Sequence, residues 1–428
     1  MSSRRDHDPT TEEATDALVD GDRTLATGTA VAALRHRDFR VVWAGTFASN
    51  IGTWMQNVLL GAFALQLTHD ASYVGLVYFA QLGPLLFLAP LGGTLADILD
   101  RRKLLIWMQL EQVVFSIVLA VLAASPNPNR WAIFGCVLLI GIGNALSGPA
   151  ISALLPTLVP REDLPGAVSL QSVQMNLSRV IGPAIGAPLY ALLGVGTVFG
   201  LNAATYGFAI ASLIVARYPP RHARAEAESP LRRFLSGFRL AAADPLIRRI
   251  LITMTTFSFF SLTFVGLMPE IAEANFDIGP KSIVYGLLYA TFGLGAALGA
   301  VTVGTYLAHR SKAMIARRSL VAFAAVLAVF ALVRNPALAF PVAFVLGFVY
   351  FMVITALSIS LQQHLDDAIR GRIMALWIMA FGGVVPLGVL AGGALVGVTT
   401  ITVVMLVGAV VALGLAWYCD LAAVGAPD

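Results

Sequence analysis

Two ionisable side chains stand inside runs that are otherwise almost wholly apolar: Arg179 in SVQMNLSRVIGPAIGAPL and Glu111 in LLIWMQLEQVVFSIVLA. A guanidinium remote from water keeps its charge and five N–H donors, so it faces a cavity or a partner, or is bonded to carbonyls and hydroxyls of neighbouring helices. A carboxyl in such surroundings takes up and releases a proton as burial and nearby charge change. Glu111 and Arg179 are therefore the candidates for coupling protons to another event. The alternative for Glu111 is a side chain that snorkels toward the arginines at its helix start.

Other polar and aromatic positions recur at helical spacing. Asn50, Trp54, Asn57 and Gly61 share one stripe, Gln81 and Asn144 add amides, and Tyr285 with Tyr289 and Trp377 with Phe381 stand one turn apart. A few amides among aromatics suit a bulky amphipathic solute, although such aromatics also serve helix packing. Catalytic and cofactor chemistry finds no such support. Six histidines form no HExxH, no GxxxxGK[ST] exists, and the glycine-rich GIGNALSG and GLGAALGA follow no strand. Cys136 and Cys419 stand in separate predicted helices with no metal-ligand spacing. No metal, cofactor or nucleic acid is expected.

These side chains need helices in a bilayer to hold them. Of 428 residues, 58% are hydrophobic and only 12% charged, and the mean hydropathy is +0.80. No water-soluble core hides that much apolar surface. Runs long enough to cross about 30 Å of hydrocarbon occur near 39–67, 72–97, 103–124, 131–157, 166–190 and 195–217, and again near 247–270, 281–308, 313–333, 337–363, 371–395 and 398–420. The expected fold is an all-α membrane protein of twelve transmembrane helices in two six-helix bundles. The N-terminal bundle covers 34–217 and the C-terminal one 247–420; 1–33 reads as a disordered cytoplasmic tail, 218–246 as a cytoplasmic linker and 421–428 as a second tail.

Alternate loops then fix an orientation. One side carries 21 of the 28 Lys and Arg residues and the other three, namely Arg130, Lys281 and Arg334. The basic side is the cytoplasmic one, which places both termini inside a bacterial inner membrane, among lipids that hold the basic residues at the surface. Within the linker, Leu231, Phe234, Leu235 and Phe238 fall on one face, as in an interfacial helix that anchors to the membrane.

The fifth predicted helix places Ser178, Gly182 and Gly186 four residues apart, a stripe that lets another helix approach closely, with Pro183 and Pro188 loosening its outer half. Arg179 lies about 20 Å from its start, near the midplane, where a charge costs about 2.5–3.5 kcal/mol on insertion scales. Glu111 lies about 12 Å into the third predicted helix.

In GGTLADILDRRKLL, Gly93, Leu95, Asp97, Arg101 and Arg102 resemble the G-x-L-a-D-r-x-G-r-k loop of major facilitator transporters, with Ile98 and Asp100 as departures. The stretch from GIGNALSGPAISALLP through SLQSVQMNLSRVIGPAIGAPL, with SNIGTWMQNVLLG and IRGRIMALWIMAFGGVVPLG, is similar to the subfamily of enterobactin-exporter-like secretion proteins. The Gly182-Pro183 and Gly186 element also resembles that of drug and proton antiporters. The resemblance implies a monomeric secondary transporter that exports a siderophore, drug or other hydrophobic metabolite against protons, with a cavity between helices 1, 2, 4, 5 and 7, 8, 10, 11. It implies a latch in which Gly93, Asp97, Arg101 and Arg102 meet Arg370 and Arg372 of helix 11 when the cytoplasmic side is shut. A lipid flippase on the same fold is the alternative, and a membrane-embedded enzyme a weaker one.

Overall fold

The computed structural model of the chain describes residues 29–88, 91, 95, 99–218, 230–421 and 423. Gly93, Asp97 and residues 1–28 of the expected tail lie outside the described residues, whereas 30–33, expected to be disordered, are helical and bury Ala32 and Ala33. Among those described there are no strands, and twelve long helical elements follow one another in the expected order.

We number them α1 (Arg37–Thr68), α2 (Ala71–Leu82, with its span reaching Leu88), α3 (Arg101–Ala124), α4 (Arg130–Leu154), α5 (Leu164–Leu193) and α6 (Val195–Val215). The second half holds α7, running in pieces from Pro245–Thr256 to Met268–Phe276, then α8 (Ile283–Gly304), α9 (Lys312–Leu332) and α10 (Pro336–His364). It closes with α11, from Asp367–Ile378 to Val385–Val396, and α12 (Ile401–Tyr418). A short helix Ala30–Arg35 precedes α1, and the linker carries a helix at Pro230–Ala243.

The helix starts follow from local chemistry. Side chains of Asp70, Asp100, Asn129, Asp244, Ser282, Ser311, Asn335 and Thr400 each accept a backbone N–H of the first turn, satisfying donors that the helix itself leaves unpaired. Asp100, where the resembled loop has glycine, thus has a local task as the cap of α3.

Among the described residues nine helices are apolar and long enough to cross a membrane on composition alone. The other three elements are α1, α5 and α7. The first two carry Asn50, Asn57, Ser172, Asn176 and Arg179, and α7 is interrupted by a bend at Leu262 after a π turn at Phe257–Ser261. All three pack against the opposite half, so protein replaces lipid along part of each. α11 has a matching π turn at Met379–Gly383, and such turns are frequent at functional sites.

Inside the first half, α1 packs on α5 and α6, and α3 on α4 and α6; inside the second, α8 and α9 pack on α10, and α9 on α12. The halves meet chiefly through α2 with α11 and α5 with α8. The Ser178, Gly182, Gly186 stripe faces α1: a methyl group on Gly182 would stand 2.7 Å from the Met55 nitrogen and 2.9 Å from the Ile51 oxygen.

Candidate functional site

The seam between the halves is sealed at the end opposite the one that gathers most of the Lys and Arg residues. On α2 and α11, Ser72 Oγ donates to the Gly393 carbonyl at 3.3 Å, and a methyl group on Gly75 would lie 2.9 Å from the Val389 oxygen. Contact continues to Gly383 against Leu86, about 21 Å along α2 from Ser72. On α5 and α8, a methyl group on Gly286 would lie 2.9 Å from the Pro183 oxygen, and one on Gly293 3.4 Å from the Arg179 oxygen. Tyr285 donates its hydroxyl to the Val58 carbonyl at 3.4 Å, joining α8 to α1.

Toward the basic end the same faces part. Ser169 lies about five turns from Ala187 on α5, and Gly304 about five turns from Gly286 on α8, so each pair shares one azimuth. Ala187 and Gly286 are buried against each other, whereas Ser169 and Gly304 are exposed. Ser172 on α5 and Gly371, Ala375 and Ile378 on α11 are exposed as well. The result is a wedge that opens at the basic end.

Arg179 sits where the wedge closes. Its guanidinium carbon lies 4.7 Å from the Trp54 ring centroid and 4.6 Å from that of Phe351, one ring from α1 and the other from α10. Tyr78, Tyr289 and Tyr350 are close enough to interact with it electrostatically. Among the described residues it forms no ion pair and no side-chain hydrogen bond. Sequence reasoning picked Trp54 and Tyr289 but missed Phe351, Tyr350 and Tyr78, which sit in apolar runs with no marking signal.

Glu111 is elsewhere, inside the first half. Its carboxyl packs on Gly143 of α4, and Oε2 is buried with no hydrogen-bond partner. Beside it lies a buried polar cluster that sequence reasoning also missed. Asn202 Nδ2 donates to Gln56 Oε1 at 2.9 Å, Thr53 Oγ1 donates to the Tyr206 hydroxyl at 3.3 Å, and Gln112 is fully buried with both amide atoms unpaired. Tyr206 interacts electrostatically with Glu111. The available signal was the presence of polar residues in helices that face no water. The structure therefore does not bring Glu111 and Arg179 together.

The remaining candidates scatter. Asn50, Asn57 and Asn144 are half-buried. Gln81 is buried with its Nε2 unpaired, beside Gly141 of α4. Tyr285 belongs to the sealed seam, and Trp377 is buried in the core while Phe381 packs against it from a half-buried position. Glu270, at the outer end of α7, is half-buried near Glu273 and Asp70.

Three arginines of the expected latch make contacts within the described residues. Arg102 donates to the Ile214 carbonyl at 2.8 Å, Arg370 to the Leu365 carbonyl at 3.3 Å, and Arg372 to Ser236 Oγ of the linker helix at 3.1 Å. Arg101 opens α3 at the same end. One His–Asp contact ties each half at its basic end: His36 Nε2 lies 2.8 Å from Asp163 Oδ2, before α1 and α5, and His364 Nε2 lies 2.8 Å from Asp244 Oδ2, joining the end of α10 to the start of α7.

Burial alone would raise the pKa of Asp244, but the His364 hydrogen bond and charge and the Ile247 and Leu246 N–H groups outweigh it and hold the carboxyl below its ordinary value. Its stabilising contribution is complete above about pH 4 and is lost as pH falls through that lowered value. Asp244→Ala removes cap and clasp together and is expected to lower stability at neutral pH by about 1–2 kcal/mol, read as a lower Tm in detergent with transport retained.

Comparison with known proteins places this architecture. Residues 28–423 match the family described as transmembrane secretion effector. The enterobactin exporter EntS of Escherichia coli O1:K1 is 32% identical over 346 residues, covering 80% of this chain and 81% of that one. The enterobactin exporter EntS of Shigella boydii serotype 18 is 33% identical over 279 residues, 65% of each. Among solved structures, a mutant of the nucleoside transporter NupG superposes with a TM-score of 0.73 at 15% identity, over 90% of this chain and 99% of that one. A bacterial homolog of the human lysosomal transporter Spinster gives 0.67 at 14% identity, over 90% and 96%. The fold is that of major facilitator transporters.

Proposed function

The chain belongs to the transmembrane secretion effector family, and from that premise we propose that it exports a small amphipathic, siderophore-like compound from the cytoplasm by proton antiport. The observation that carries this reading is the wedge between the halves, sealed at one end and open at the arginine-rich end. Since positive residues are retained on the cytoplasmic side, the wedge opens to the cytoplasm and the sealed end faces outward. An exporter loads its cargo in that state. Enterobactin export by relatives about one-third identical supports a cargo of that size and character.

Glu111 is the proton carrier in this scheme, and alternating access is a rocking of α1–α6 against α7–α12 about the Arg179 level. In the opposite state the loop before α3, with Gly93, Asp97, Arg101 and Arg102, closes on Arg370 and Arg372 at the start of α11.

The test is efflux from proteoliposomes of the purified chain loaded with enterobactin, with the pH gradient imposed in either direction or collapsed. Efflux should accelerate when protons flow opposite to the cargo and fall to the equilibrative rate on adding a protonophore. Efflux indifferent to the gradient rejects proton antiport, and no efflux of this cargo rejects the siderophore-like substrate.

A further inference from the structure

We propose that the cargo carries an oxyanion, a carboxylate or a group of the same chemistry, and that Arg179 is the residue that receives it. Three observations meet at this side chain. Among the described residues the other Lys and Arg side chains of the spanning elements stand at or near helix ends, whereas Arg179 lies well inside α5. It has no carboxylate partner, and its N–H donors make no hydrogen bond within the described residues. Its company is aromatic, with Trp54 at 4.7 Å and Phe351 at 4.6 Å.

Ring faces stabilise a guanidinium by about 0.5–2 kcal/mol each, but they leave the planar fork of donors unspent. That fork matches carboxylate and related oxyanions. A partly accessible cation at the top of a wedge therefore has its orientation set by the rings and its hydrogen bonds still to make. The approach is polar on one face, through Ser169, Ser172 and Asn176 of α5, each exposed or half-buried. The rings come from opposite halves, so an anion that draws the guanidinium off them loosens a contact across the seam. Cargo binding is thereby linked to the parting of the halves.

The inference rests on the exporter reading only in taking the wedge as the cargo site, and it is tested without any gradient. The purified full chain in phosphatidylcholine nanodiscs is titrated by calorimetry with naphthalene-2-carboxylate, naphthalene-2-carboxamide and 2-naphthylmethylammonium. The carboxylate should bind at least about tenfold more tightly than the amide and the ammonium more weakly still. The preference should vanish in Arg179→Gln and persist in part in Arg179→Lys.

Repeating the titration with phosphatidylglycerol in the disc separates two sources of the anion. Competition by the lipid assigns the site to an anionic headgroup, and its absence assigns the site to a free solute; either keeps Arg179 as the oxyanion receptor. Equal binding of carboxylate and amide by the unaltered chain, binding of neither, or a preference unchanged in Arg179→Gln overturns the proposal. The comparison on the unaltered chain decides even where a variant fails to fold. Loss of gradient-driven efflux with the preference intact would reject antiport and leave this site standing.

Discussion

Replacing Gly75 with leucine is expected to reduce transport at least about tenfold and to leave the outer end of the seam unsealed. A methyl group at this position already lies 2.9 Å from the Val389 carbonyl oxygen and 3.1 Å from the Leu390 Cα. Both are backbone atoms of the opposite half and cannot rotate away, and leucine adds three more carbons to the same gap. Overpacking of this kind costs about 1–3 kcal/mol, and here the cost falls only on the state in which α2 and α11 are in contact. Since 1.4 kcal/mol is a factor of ten in an equilibrium, the inward-open population drops by about one to two orders of magnitude.

Ser72→Cys reports the change directly. Ser72 donates to Gly393 in the sealed seam, and both native cysteines are buried. Labelling of Cys at 72 by a membrane-impermeant maleimide should accelerate at least about tenfold on adding Gly75→Leu, in line with that shift. Gly135→Leu is the control, because nothing lies within 4 Å of a methyl group there. Unchanged labelling would show that this contact does not hold the outer side shut.

Much of this framework is legible in the sequence alone. Apolar length and the division of Lys and Arg between alternate loops follow from the bilayer itself, so the spans and their order were readable to within a few residues. Spacing also marked the Gly182 and Gly186 stripe, because a helix repeats its faces every three to four residues. What joins distant segments was not readable. Phe351 reaches Arg179 from α10 and Gly143 makes room for Glu111 from α4, and nothing local distinguishes either from its neighbours. The same limit explains the aromatics: Tyr285 and Trp377 have the spacing of cavity residues, yet both are buried by packing. Nor does any Gly or Pro inside Phe257–Ser261 announce the π turn of α7.

Glu111→Gln is expected to uncouple transport from protons while leaving the fold and downhill exchange in place. Glutamine keeps the shape that packs on Gly143 but holds no exchangeable charge. Glu111 has no counter-ion among the described residues, and its Oε2 lacks a hydrogen-bond partner. An unpaired carboxylate in such a place is costly unless water or a proton satisfies it, so its charge state must follow the access of water to the first half. The cluster beside it gives that change a mechanical route. Tyr206 interacts with Glu111, Thr53 of α1 donates to Tyr206, and Asn202 donates to Gln56, also of α1. One turn at most separates these from Trp54, whose ring lies over Arg179. For one-for-one exchange a gradient of one pH unit, about 1.36 kcal/mol, supports up to about tenfold accumulation. In Glu111→Gln that ratio should fall to about one, with counterflow rates within about twofold of the unaltered chain, because counterflow draws on no proton gradient. Retained accumulation would move the proton site to Glu270 or Asp97, and loss of counterflow as well would make Glu111 a structural member of the cluster.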